Sequence, residues 1–118
     1  MKSIGEFVLT LLHAQTNTHI LHLQSRSCAE HMALGAFYEA LDDLIDAWVE
    51  AYQGRYEIIS EYPQNYSLPT SPIEYLDNLN GYIYVARQSL PQDTELQNIL
   101  DEIVALVDST LYKLRFLK

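Results

Sequence analysis

Apolar residues recur at helical spacing in four stretches of the chain, and each stretch opens or closes on recognisable turn chemistry. Ile4, Phe7, Val8, Leu11 and Leu12 form the first stripe, behind Ser3-Ile4-Gly5-Glu6, a capping-box pattern. A helix is predicted from about residue 4 to about residue 24. Continuing its stripe lands on Gln15, Thr18, His19 and His22, so the inward face turns polar in its second half. Such a conflict between pattern and position is typical of functional sites.

A second capping box, Ser27-Cys28-Ala29-Glu30, starts helix two, which is expected to run to about Gln53 with Gly54 as its stop. Leu34, Phe37, Leu41, Ile45, Trp48 and Tyr52 make one apolar stripe. Ala33, Ala40, Leu44, Ala47 and Ala51 make another, mostly of small residues. A helix apolar on two sides is expected at the centre of a bundle, with one side free for another subunit. Residues 55–71, with Pro63, Asn65 and Pro69, break the periodicity and make a connection long enough to cross a bundle. Ser71-Pro72-Ile73-Glu74 then opens helix three, with Leu76, Leu79, Ile83, Ala86 and Leu90 facing inward. After a turn at Pro91-Gln92-Asp93, helix four carries Leu96, Ile99, Leu100, Ile103, Val107, Leu111, Leu114 and Leu117.

Two short turns and one long crossover between helices two and three predict an all-α fold. The arrangement expected is a ferritin-like four-helix bundle, formed as one domain over residues 1–118. Its composition fits a globular chain: 48% hydrophobic and 19% charged residues over 118 positions. A net charge of −9 argues against sequence-independent DNA or RNA binding, which needs clustered Lys and Arg. One cysteine, Cys28, excludes an internal disulfide and suits a reducing compartment; it is expected to be semi-buried and inert. With no apolar run of membrane length and no secretory pattern in MKSIGEF, a soluble cytoplasmic protein without a membrane partner is expected.

The candidate chemistry lies between His19 and Glu50. His19 and His31 flank the first turn, and Asp46 and Glu50 share a face of helix two, four residues apart. Imidazole and carboxylate together suit iron, zinc or manganese. Fifteen residues of helix span roughly 22 Å, so His31 and Asp46 of one chain do not share an ion. Two copies of helix two packed antiparallel about a twofold axis bring the histidines of each to the carboxylates of the other. A metal site here is therefore also a dimer interface. His22, one turn from His19, is expected as a partly buried polar residue or an alternate ligand, and His13 is expected to face solvent. Glu39 and Asp43 extend the acidic stripe of Asp46 and Glu50. That stripe also reads simply as a solvated face, although like charges at this spacing repel and a bound cation relieves them.

The spacing His19, His31, Asp46, Glu50 resembles the iron-site spacing of the Dps family, the mini-ferritins. Phe37, Ala40, Leu41 and Asp43 also fall where that family often has such residues. The resemblance covers about residues 13–54. It implies a ferritin-like bundle in a homo-oligomer built from at least a twofold dimer. It further implies iron, as a mono-iron or di-iron site, bound by His19 and His31 of one subunit and Asp46 and Glu50 of the other. Ferrous iron would be oxidised there by dioxygen or peroxide, with storage of the product. Two departures stand out: Gly35 occupies the position of a usual Asp, and Ile20 that of a frequent Trp. Gly35 points to the alternative, a non-catalytic helical oligomer on the same scaffold.

Overall fold

The first three helices begin where a serine side chain takes up an amide that the helix leaves open. Ser3 accepts from Glu6 N, Ser27 from Glu30 N and Ser71 from Glu74 N, at 3.0, 3.3 and 3.3 Å. The computed structural model describes residues 3–118 and forms α1 (Ile4–Gln24), α2 (Cys28–Arg55), α3 (Pro72–Ala86) and α4 (Thr94–Phe116), so the fold is all-helical among the described residues. α2 runs through Gly54 rather than stopping there. No glycine adopts positive φ, and Tyr56 caps the helix by donating its amide to Tyr52 O. The glycine was available for a left-handed stop, but the chain leaves the helix without needing one.

α4 starts differently. Asp93 stands at its N-cap position and makes no side-chain bond to the helix. Its carboxylate instead accepts from the Tyr56 hydroxyl and pairs with Arg55 at 3.3 Å, which ties the end of α2 to the start of α4. Side-chain pairs show the helix directions. Phe7 meets Trp48 and His22 meets His31, so α1 and α2 are antiparallel. Phe7 also faces Tyr82, and Asn17 bonds Tyr75, so α1 and α3 are antiparallel as well. Arg87 reaches Gln97 and Asp101 while Asn80 reaches Asp108, which sets α4 antiparallel to α3. α1 touches α2 and α3, and α4 touches the same two.

The connection from α2 to α3 lies along α1. Glu61 backs onto Gly5, Tyr66 packs edge-on against His13, and the Ser67 carbonyl accepts a long 3.5 Å contact from Asn17. Gly5 is required there: a Cβ would lie 1.8 Å from the Glu61 oxygen. His13, expected in solvent, is half-covered by this segment. All four helices supply one core, including Phe7, Phe37, Trp48, Ile83 and Leu100. Burying each such side chain contributes about 1.5–3 kcal/mol. The long stripe of α2 is buried from Leu34 to Trp48, whereas Ala40 and Ala47 of its second stripe are exposed. Leu117 lies beyond α4 and is exposed, because the helix ends at Phe116 before its stripe does. No helix among the described residues is long and apolar enough to cross a membrane.

Candidate metal centre

The polar half of α1 and the opening turns of α2 bring three imidazoles and one phenol together. Antiparallel packing with a three-residue turn sets residue 22 beside residue 31 and residue 19 beside residue 38. The rings of His22 and His31 stack at 3.6 Å, inclined by 19°. Each bonds the main chain of the other's helix: His22 Nδ1 donates to the His31 carbonyl at 2.5 Å, and His31 Nδ1 donates to the His22 carbonyl at 2.8 Å. A carbonyl only accepts, so each Nδ1 carries its proton, and in the neutral ring Nε2 is the nitrogen with the lone pair. His19 stacks on Tyr38 at 4.1 Å, and Tyr38 meets His22 edge-on at 5.4 Å.

His19 and His31 are both exposed and His22 is half-buried. The polar end of the α1 stripe is thus only partly inward: Thr18 is buried and bonds the Ala14 carbonyl, while His19 faces out. Like Thr110 on α4, Asn17, just off the stripe, is a buried polar residue that periodicity missed. It is 3% exposed and gives its amide to Tyr75 and the crossover. Its signal was modest, a polar residue beside Thr18 on a helix that had to carry a long loop.

Asp46 and Glu50 lie further along α2, exposed, with no ion pair or hydrogen bond among the described residues. Glu39 and Asp43 are exposed with them. No group of three or more His, Cys, Asp or Glu side chains gathers around a metal position among the described residues of one chain. The histidines come together and the carboxylates stay apart from them, as roughly 22 Å of intervening helix dictates.

Gly35 has a definite neighbour. A Cβ built on it would stand 3.0 Å from His22 Cε1 and 3.1 Å from His22 Nδ1. The imidazole of His22 fills the space that a side chain at position 35 would use, so the glycine and the histidine are fitted to each other. Cys28, expected to be semi-buried, is exposed on the first turn of α2. A cleft of about 340 Å³ lies at the other end of α1, lined by Phe7, Tyr82 and Leu90 among others, remote from the imidazoles.

Comparison with known proteins adds relatives without an activity. A family model described as a family of unknown function (DUF5856) matches residues 22–114, which includes His22, His31, Asp46 and Glu50 but not His19. An uncharacterized 14.6 kDa protein in the mobD-ri intergenic region of Enterobacteria phage T4 is 28% identical over 112 residues, covering 92% of this chain and 85% of the phage protein. No solved structure matches.

Proposed function

We propose a function for this chain, which belongs to the DUF5856 family: it binds ferrous iron at a site shared between two copies and oxidises it, resembling Dps proteins on a ferritin-like bundle. The observation that carries the reading is the bond from His31 Nδ1 to the His22 carbonyl. Metal-ligating histidines commonly donate their second ring nitrogen to a carbonyl, which fixes the tautomer and offers the other nitrogen to the metal. His31 is exposed and held in this way, with Nε2 as its remaining ligand atom.

The ring order of the helices and the long connection along α1 support the ferritin-like arrangement. In this reading His19 and His31 bind from one subunit, and Asp46 and Glu50 bind from a second copy related by a twofold axis. Their carboxylates are exposed and engaged by no basic side chain among the described residues, so they are open to a hard cation. The acidic face of Glu39, Asp43, Asp46 and Glu50 would raise the local concentration of ferrous ions. Each ferrous ion, as substrate, gives one electron to dioxygen or peroxide, and the ferric product is stored or released. The ligand set contains one carboxylate fewer than the Dps pattern, because Gly35 brings none and His22 occupies its space.

That same fit favours a second reading, a non-catalytic helical oligomer in which the closed His22–His31 pair only fastens α1 to α2. Aerobic ferrous-iron oxidation separates the two. Wild type is expected to outpace buffer, and His31→Ala and Glu50→Ala are each expected to fall to the buffer rate. Co-expressing the two variants restores one of the two sites in each mixed dimer, about a quarter of all sites at random one-to-one assembly, since a mixed dimer keeps one intact histidine–carboxylate pair across the interface. A wild-type rate equal to buffer rejects the oxidase reading. Failure of the co-expressed pair to regain activity rejects the shared site.

A further inference from the structure

A second kind of ligand set lies on the opening turn of α2, independent of the iron reading. Cys28 and Met32 are four residues apart on one helical face, and both are exposed, Met32 by 66%. Their sulfurs stand 3.8 Å apart. We propose that Cys28 and Met32 form a binding site for a soft monovalent metal ion, cuprous copper or its redox-inert analogue silver(I).

Thiolate and thioether are the soft donors that select cuprous copper over ferrous iron or zinc. Two sulfurs 3.8 Å apart, each on a metal–sulfur bond of about 2.3 Å, subtend about 110° at the metal, which suits three- or four-coordinate copper without movement of either side chain. The turn that carries them is already held, since Ser27 caps Glu30 N and the Ser27 carbonyl accepts from His31 N at 2.9 Å. Both residues are exposed, so an incoming ion reaches them without opening the core. Binding replaces the Cys28 S–H bond by an S–Cu bond and releases the proton to solvent. Copper stays cuprous and no electron moves. The remaining position at the metal is open to an external donor such as a small thiol, so the site suits uptake and transfer of the ion.

The test is anaerobic titration with cuprous copper against a chromophoric cuprous chelator, together with X-ray absorption at the copper edge. Wild type is expected to take one equivalent per chain and to show two sulfur neighbours at about 2.3 Å. Met32→Leu is expected to weaken binding at least tenfold and leave one sulfur, and Cys28→Ser to abolish it. Both positions are exposed, and helical circular dichroism checks that each variant folds. His31→Ala is expected to retain both sulfurs, which separates this site from the iron reading. Equal affinity in Met32→Leu, a single sulfur in wild type, retention in Cys28→Ser, or loss of the two-sulfur signature in His31→Ala overturns the proposal.

Discussion

α1 and α2 meet as antiparallel helices along their whole length, yet the two ends of that contact are built from different chemistry. Near the start of α1, Phe7 is fully buried between Trp48 and Tyr82, with ring separations of 5.2 and 6.1 Å. Near its end, His22 and His31 stack at 3.6 Å beside solvent, and each ring bonds the main chain across the gap. The first end is held by removal of apolar area from water, and the second by oriented polar bonds. Burial stabilises strongly and leaves no group free to react. The imidazole end contributes less to folding but keeps His31 exposed, with one ring nitrogen outside the main-chain bond. That difference is why the candidate imidazole ligands lie at one end and the aromatic core contact at the other.

The sharpest way to break this comparison is truncation at each end. Trp48→Ala is expected to cost about 3–5 kcal/mol in denaturant unfolding, because it empties a buried site touched by several helices. Trp48→Phe costs less, since the indole N–H has no acceptor among the described residues and its loss strands nothing. His31→Ala removes one exposed hydrogen bond and is expected to cost about 1 kcal/mol. Equal losses in Trp48→Ala and His31→Ala would overturn the division of labour.

Gly35 sharpens it further. Replacing a mid-helix glycine by alanine ordinarily stabilises by about 0.5–1 kcal/mol. Here the new Cβ meets the His22 ring at 3.0 Å, and Gly35→Ala is expected to destabilise by about 1–2 kcal/mol instead. In a His22→Ala background the same change is expected to regain its ordinary stabilising sign. A double-mutant cycle measures the coupling, and additive effects would show that the ring yields freely.

Smaller still is Ser27→Ala, which removes the cap of α2 at the imidazole end and is expected to cost about 1 kcal/mol in thermal or denaturant unfolding.

A pH series tests the far end of α2. The Tyr56 hydroxyl bond, helped by a backbone hydrogen bond and the Arg55 guanidinium, holds the Asp93 carboxyl below its ordinary value. Its contribution to stability is therefore present above the usual carboxylate range and lost as pH falls through the lowered value. The same bond raises Tyr56, so the contact weakens again as pH rises through the raised phenol value. Asp93→Asn is expected to flatten the acid limb of the stability curve. An unchanged limb means that other carboxylates dominate acid unfolding.

Much of this molecule is legible in its sequence. The three serine caps followed from short-range chemistry, because Ser and a residue three positions on meet in any helix start. The buried faces of α2 and α4 followed from period alone. Other features did not. The half-covered His13 and the buried Asn17 depend on where residues 61–67 lie along α1, which no local pattern encodes. The end of α2 past Gly54 and the exposure of Cys28 and Leu117 likewise depend on what packs nearby.

The sequence by itself determined four amphipathic helices, their caps, and a linear spacing that forbids His31 and Asp46 from sharing an ion in one chain, because each of these follows from helix rise and period. Only the tertiary structure decided that His22, rather than His19, stacks on His31, and that Gly35 makes room for it. Those outcomes rest on how two helices approach each other, and side-chain neighbours across a packing interface are set by the whole bundle rather than by any one stretch of it.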